Sequence, residues 1–116
     1  MRSPGSRTCA MFDNEAIIKQ EIPKRKREYL KFRKGIDRKN TQIKNMLRMR
    51  ESLKQDPSMW KHLPRVEAEL RFLQDCQEVF YIKAEKERRM FEWLRKRLRA
   101  LEQRRIRREL RRRQSL

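Results

Sequence analysis

The chain has 116 residues, which is enough for one domain at most. Hydrophobic residues make up 36% and charged residues 43%, whereas ordinary globular domains have about 45–50% and about 25%. This composition disfavours a compact globule and favours long exposed helices, partial disorder or folding on a partner. With two glycines and four prolines, the chain also lacks the frequent turns that a many-stranded β fold requires.

The formal net charge of +18 is unevenly distributed along the chain. Residues 1–23 have a net charge of 0, residues 24–55 of +10, residues 56–94 of −1 and residues 95–116 of +9. Two cationic blocks therefore flank a balanced middle. Such blocks attract polyanions, which are nucleic acids, anionic membranes or acidic protein surfaces such as tubulin tails.

Nothing in the sequence favours catalysis, a cofactor or a metal site. His62 is the only histidine and lies beside Pro64 in a predicted connector, so neither a histidine-rich metal site nor a histidine-paired nucleophile is expected. Cys9 and Cys76 lie in different contexts, which predicts free thiols in a reducing compartment. No apolar run is as long as the about 18 residues that a membrane span requires. We therefore expect a protein that is not an enzyme, has no cofactor and has no membrane span.

The N-terminal segment, residues 1–23, is predicted to be disordered or partly helical. Residues 1–14 show no periodicity, and residues 15–22 suit either a short helix or an extended segment. Pro23 is expected to close that segment, because the residue before a proline is biased away from the helical region. Residues 1–12 are basic, contain serine and lack acidic side chains, which is a faint mitochondrial-type composition.

Two short motifs near the N-terminus suggest a nuclear protein. Residues 18–21, Ile-Lys-Gln-Glu, fit the pattern of a SUMO acceptor, so Lys19 is a candidate modification site. Pro23 is followed by a basic run that resembles a nuclear import signal and consists of Lys24, Arg25, Lys26 and Arg27. An import signal of this class is an extended cationic segment that an acidic groove can bind. The alternative interpretation is the solvated first turn of a basic helix.

Residues 24–94 are predicted to form a helical hairpin, with helices over about 25–55 and 64–94. In the first helix an apolar stripe recurs at steps of three and four or their sums, through Tyr29, Phe32, Ile36, Ile43, Met46 and Leu53. Gly35 costs on the order of 1 kcal/mol relative to alanine, which leaves open a break near this residue. Asp56 suits a helix N-cap and Pro57 the first helical position, so residues 56–63 are predicted to be a proline-bounded connector.

The second helix is predicted to begin at Pro64 and to reach about Arg113. A seven-residue frame runs along it, and we call its eleven positions the seam: Val66, Leu70, Leu73, Gln77, Phe80, Ala84, Glu87, Phe91, Leu94, Leu98 and Leu101. Nine of the eleven are apolar, which is typical of a coiled coil. The predicted fold class is therefore all-α: an antiparallel helical hairpin or coiled coil with one very long C-terminal helix and a disordered N-terminus.

Such a hairpin buries a single seam, so we expect marginal stability and a helical protein partner or a homodimer formed through the seam. The first helix should cover about the first half of the second. The chain beyond about Trp93 should then project without a partner from the same chain.

Residues 95–116 are predicted to be an arginine-rich helical extension. The planar guanidinium binds oxyanions through two parallel hydrogen bonds, so arginine favours phosphate over lysine. The candidate polyanion-binding residues are Arg95, Lys96, Arg97, Arg99, Arg104, Arg105, Arg107, Arg108, Arg111, Arg112 and Arg113. A solvated tail is the alternative. The aromatic and aliphatic anchors of this region also resemble those of calmodulin targets and of helices on anionic membranes.

The leading functional hypothesis is a small nuclear protein that binds nucleic acid within a chromatin or ribonucleoprotein assembly. Its basic blocks would contact phosphates with little sequence discrimination. A structural role along microtubules or axonemal filaments is the first alternative, because long basic helices suit acidic tubulin tails. A peripheral subunit of a large complex such as a mitochondrial ribosome is the second.

Overall fold

The structure is a computed structural model that describes residues 14–115. Its elements are helix α1 (Glu15–Lys54), a 3-10 helix (Pro57–His62) and helix α2 (Leu63–Gln114). No residue within the described range forms a strand, which confirms the all-α prediction for that range. No helix there has a stretch that is long and apolar enough to cross a bilayer.

Some predictions concern residues outside the described range. The expected disorder of the N-terminus lies there apart from Asn14, and so do the mitochondrial-type composition of residues 1–12 and the thiol of Cys9. Cys76 is a half-buried free cysteine on α2. These N-terminal expectations therefore stay predictions.

Helix α1 continues through Pro23, where the sequence had suggested an end. The predicted closure at this proline is wrong. A proline inside a helix costs about 3 kcal/mol, because it lacks the N–H and its ring clashes with the preceding turn. Ile18 is fully buried and Ile22 packs against the same cluster, and burying each such side chain contributes up to about 3 kcal/mol. These apolar contacts offset the proline, and the helix begins at Glu15 instead of near residue 25.

Side-chain hydrogen bonds fix the start of α1 and the junction between α1 and the connector. Asn14 Oδ1 accepts the backbone N–H of Ala16 at 2.8 Å and so caps α1. Asp56 Oδ1 accepts the backbone N–H of Ser58 at 3.1 Å and so caps the 3-10 helix. Trp60 Nε1 donates to the carbonyl of Lys54 at 3.0 Å, which satisfies a carbonyl in the last turn of α1. Half-exposed Trp60, in the connector, thus caps the C-terminal end of α1.

The chain divides into two compact units. We call residues 29–86 the central unit, and the described residues up to Glu28 and from Glu87 the terminal unit. Each unit contains one segment of α1 and one segment of α2.

The central unit has an apolar core with a polar pair at its edge. Its buried side chains are Ile36, Val66, Leu70, Leu73 and Ala84. The rings of Phe32 and Phe80 lie with centroids 6.3 Å apart. The seam residue Gln77 donates from Nε2 to Asn40 Oδ1 and, at 3.5 Å, to the carbonyl of Ile36. This half-buried polar seam position is therefore satisfied by partners on α1.

Gly35 does not break α1, although the sequence left a break open. A Cβ at this position would lie 3.3 Å from the ring of Phe80. That separation is tighter than ordinary van der Waals contact, so the glycine lets the aromatic ring pack against the backbone of α1. The packing compensates for the low helix propensity of glycine.

The terminal unit packs the start of α1 against the second half of α2. Ile18 and Leu94 are fully buried, and four half-buried side chains pack around them: Ile22, Met90, Leu98 and Leu101. The seam residue Glu87 accepts from Arg25 Nη1 at 3.2 Å. The expectation that α2 has no intrachain partner beyond Trp93 is therefore wrong. The reason is the early start of α1, which supplies residues that the sequence analysis had assigned to a separate segment.

Candidate polyanion-binding surface

The arginine-rich extension occupies the last turns of α2, from residue 95 to Gln114. Arginine, leucine, glutamate and glutamine are good helix formers, so the sequence favours a helix here without tertiary support. Arg111, Arg112 and Arg113 fall in the last turn. Positive charge at that position interacts favourably with the negative end of the helix dipole.

Apolar packing along α2 ends at Leu101. Among the described residues, the last ion pair between α2 and α1 lies four residues later, where Arg105 Nε is 3.2 Å from Glu15 Oε1. Every residue from Gln103 to Ser115 is exposed. The extension therefore has a packed part, up to Leu101, and a part that presents all of its faces to solvent.

The seven-residue frame of the seam continues into the exposed part, where arginine occupies its positions. The three positions that follow Leu101 at the same alternating spacing are Arg105, Arg108 and Arg112. The predicted seam ends at Leu101, and the change to arginine beyond it was not predicted. Continuing the seven-residue count would have found it. The side of α2 that buries leucine thus becomes cationic at the position where α1 begins.

The charge of the extension is largely uncompensated within the described residues. Arg105 contacts Glu15 and lies 3.8 Å from Glu109, Arg95 stacks over the ring of Phe91 at 5.6 Å, and half-buried Arg97 has a partner of its own. The other candidate side chains are exposed and make no ion pair with a described residue: Lys96, Arg99, Arg104, Arg107, Arg108, Arg111, Arg112 and Arg113.

Like charges face one another along this helix. Arg104 and Arg108, Arg107 and Arg111, and Arg108 and Arg112 are each separated by four residues. Side chains at this spacing are neighbours on the helix surface, and each like-charge pair destabilises the helix by about 0.2–0.5 kcal/mol. A bound polyanion would remove this repulsion and stabilise the helix.

The basic run of the suggested import signal lies inside α1. Lys24, Lys26 and Arg27 are exposed, whereas Arg25 is half-buried between Glu21 and Glu87, with 3.2 Å contacts to both. The geometry differs from the extended one that an import receptor would bind. Import through this run stays a prediction that requires local opening of α1.

Lys19 is exposed on the first turns of α1. The residue before it, Ile18, is fully buried against Leu94, and Glu21 is paired with Arg25. A conjugating enzyme would need the isoleucine and the glutamate as well as the lysine. SUMO attachment therefore also stays a prediction that requires this turn to open.

The structure also shows a second cationic surface, on α1. The net charge of this region was predicted from the sequence, but its exposed side chains were not identified. Besides Lys54, which lies 3.9 Å from Glu51, six further basic side chains of α1 in the central unit are exposed, and these six make no ion pair with a described residue: Lys31, Arg33, Lys34, Arg38, Lys44 and Arg48. They lie off the apolar stripe of α1, and that position is the signal that could have identified them. We call them the α1 basic set.

The seam side chains lie in the interior of the two units. Val66, Leu70, Leu73 and Leu94 are buried, and Phe80, Phe91, Leu98 and Leu101 are half-buried. Within residues 14–115, no group of three histidine, cysteine, aspartate or glutamate side chains is placed to hold a metal ion.

Comparisons with protein-family models, curated protein sequences and solved structures yielded no match to this chain.

Proposed function

We propose that the chain is a non-enzymatic nucleic-acid-binding protein of a chromatin or ribonucleoprotein assembly. In this proposal an antiparallel helical hairpin carries two cationic surfaces, the arginine-rich extension and the α1 basic set. Both surfaces contact phosphates, and neither selects a particular sequence. The protein acts in the nucleus.

Contacts within each unit support the antiparallel arrangement. In the central unit, Arg50 pairs with Glu67 at 3.5 Å, and Gly35, nearer the start of α1, meets Phe80, further along α2. In the terminal unit, Arg25 pairs with Glu87 and Glu15 with Arg105. In both units an earlier position on α1 contacts a later position on α2, as antiparallel helices do.

One observation carries the proposal of polyanion binding: the exposed arginines after Leu101 have almost no counter-charge among the described residues. Residues 102–114 contain seven arginines and two acidic residues, and Arg105 is the only one of these arginines that pairs with an acid among residues 14–115. Holding such charges together is unfavourable unless anions bind them. A phosphate backbone supplies regularly spaced anions that suit the bidentate fork of arginine.

The test is the salt dependence of binding to duplex DNA and to single-stranded RNA. We would replace Arg104, Arg107, Arg108 and Arg111 with glutamine, since these four side chains are exposed and unpaired within the described residues. If each contacts one phosphate, the slope of log affinity against log salt should shrink by about 3 to 4 for duplex DNA. Fluorescence anisotropy over a salt series measures that slope.

The matched control replaces the same four arginines with lysine. Lysine keeps the charge and removes the bidentate fork, so most of the slope should remain while affinity falls several-fold. A protein that binds neither DNA nor RNA at about 150 mM salt, a physiological ionic strength, would contradict the proposal. An unchanged slope in the glutamine variant would contradict the role of the extension.

A structural role along microtubules is the second candidate, and the length of α2 favours it. This helix runs for 52 residues with its only proline in the first turn, and its exposed end is cationic. Acidic tubulin tails would supply the counter-charge. Co-sedimentation with microtubules that is lost when those tails are cleaved, together with no affinity for nucleic acid, would establish this function in place of the first.

A further inference from the structure

Ser115 lies immediately after the end of α2, behind three consecutive arginines. Arg112 and Arg113 occupy the third and the second position before it, and a leucine follows it in the sequence. A serine/threonine kinase with an acidic substrate groove selects a serine in this context, because the two guanidinium groups pair with carboxylates of the groove. Of the seven serines and threonines in the sequence, Ser115 and Thr41 alone have basic side chains at both positions. The sequence therefore offers a kinase two acceptors.

The structure separates these two acceptors, because Thr41 lies in the middle of α1. Its hydroxyl donates to the carbonyl of Asp37 at 3.2 Å. The neighbouring Asn40 accepts a hydrogen bond from Gln77 of α2. A kinase binds the residues around its acceptor in an extended conformation. At Thr41 it would have to unwind α1 where that helix packs against α2 in the central unit.

At Ser115 only the last turn of α2 has to open. The serine hydroxyl donates to the carbonyl of Arg112 at 3.0 Å, and the serine N–H donates to the carbonyl of Arg111 at 3.1 Å. Both bonds stay within the last turn, and every residue from Gln103 to Ser115 is exposed. Repulsion between arginines four residues apart destabilises these turns, and exposed helix ends open at little cost in free energy. This opening leaves the apolar cluster of the terminal unit intact.

We propose that Ser115 is a phosphorylation site for a kinase that selects arginine before the acceptor. The Oγ atom attacks the γ-phosphorus of magnesium-bound ATP. The bond from Oγ to phosphorus forms, and the bond from that phosphorus to the bridging oxygen of ADP breaks. The hydroxyl proton passes to the catalytic aspartate of the kinase. The product is a phosphoserine with a charge of about −1.5 to −2 at pH 7.

The phosphate on Ser115 weakens the binding of nucleic acid, and this consequence rests on the proposed function. Residues 102–115 carry seven arginines and two acidic residues, a net charge of +5. Phosphorylation lowers that charge to about +3. The phosphate adjoins Arg111, Arg112 and Arg113, which are exposed and make no ion pair with a described residue. It therefore competes with the phosphates of nucleic acid for these three guanidinium groups.

The site is tested on the full chain with magnesium, ATP and the catalytic subunit of cyclic-AMP-dependent protein kinase, which selects arginine at these positions. Peptide mass spectrometry locates the phosphate. Ser115 should be modified while Thr41 is not, and Ser115→Ala should remove the modification. This measurement needs no nucleic acid, so it is independent of the proposed function. No phosphate on Ser115, or modification of Thr41 at a comparable rate, would overturn the proposal.

Two double variants test the recognition of arginine. Arg112→Gln with Arg113→Gln should lower the initial rate of phosphorylation by about tenfold or more, because charge-assisted hydrogen bonds to the kinase are lost. Arg104→Gln with Arg107→Gln is the matched control. It removes the same charge from exposed positions of the same helix, further from the serine, and should leave the rate nearly unchanged. Equal losses in both variants would overturn the role of the two adjacent arginines.

The effect on binding is measured by fluorescence anisotropy with duplex DNA over a salt series. The slope of log affinity against log salt should shrink by about 1 to 2 after phosphorylation, because the phosphate neutralises up to two arginines. Ser115→Ala treated with the same kinase should keep the full slope. An unchanged slope and affinity in the phosphorylated chain would overturn the regulatory effect. Failure of the unmodified chain to bind nucleic acid would overturn both the proposed function and this effect, whereas the phosphate on Ser115 would stand.

Discussion

Helix α2 contains two regions that differ in chemistry although they belong to one continuous helix. Up to Leu101 it carries the apolar seam, and its seam side chains are buried or half-buried. After Leu101 the same frame carries arginine, and every described residue from Gln103 onwards is exposed. The comparison suggests that stability and binding are separable along one helix. Changes in the first region should alter stability, and changes in the second should alter affinity for the polyanion.

The largest loss of stability is expected from Leu94→Asp. Leu94 is fully buried against Ile18, and the substitution leaves a cavity and places a carboxylate in an apolar cluster. The expected cost is about 4 kcal/mol or more, a large share of the stability of a small domain. Circular dichroism should show a lower melting temperature or lost helicity.

The control is the same substitution after Leu101. Leu110 is 50% exposed, so Leu110→Asp should leave the melting temperature nearly unchanged. Equal effects of Leu94→Asp and Leu110→Asp would remove the distinction between the two regions.

An intermediate loss is expected from Gly35→Val. The β-branched side chain would push against the ring of Phe80, where a Cβ alone already lies 3.3 Å away. Overpacking of this kind costs about 1–3 kcal/mol, measurable as a shift of the urea midpoint. Below the unfolding transition, affinity for nucleic acid should be unchanged. Gly35→Ala is the control. Alanine has a higher helix propensity than glycine, and this gain opposes its smaller steric conflict with Phe80, so the midpoint should change less than in Gly35→Val.

The smallest loss of stability and the largest loss of binding are expected together, from a chain that ends at Glu102. This truncation removes six of the eight basic side chains of the extension that make no ion pair with a described residue, and it removes the exposed pair of Arg105 with Glu15. An exposed ion pair contributes about 0–1 kcal/mol, so the melting temperature should fall by a few degrees at most. The salt dependence of nucleic-acid binding should fall steeply. A truncated chain that unfolds would show that the last turns of α2 are structural.

The heptad frame shows how far sequence reasoning reached. It selected eleven positions of α2, all of which are buried or half-buried within their units. It failed at Pro23, where the local preference of proline predicted an end and the helix continues. The proline destabilises the helix there by about 3 kcal/mol. The burial of Ile18 and Ile22 stabilises it, and that burial depends on residues about 70 positions away in the chain.

Some residues of the candidate site were predicted from the sequence and others were not. The arginines of the extension were identified because composition alone makes them conspicuous. The role of Arg25 was not, because a basic run gives no sign that one of its members is held by Glu87 on another helix. The exposure of Phe72, Val79 and Ile82 on α2 was also not predicted, since these residues are indistinguishable from core residues until their exposure is known.

The sequence by itself determined the helical class, the frame of the seam and the position of the cationic blocks. These follow from residue periodicity, helix propensity and charge, all of which are local properties. Tertiary structure alone decided where α1 begins, which seam polar groups are satisfied, and which apolar and basic side chains remain exposed. Those features depend on contacts between residues distant in sequence, and the energy of such contacts cannot be read from either partner alone.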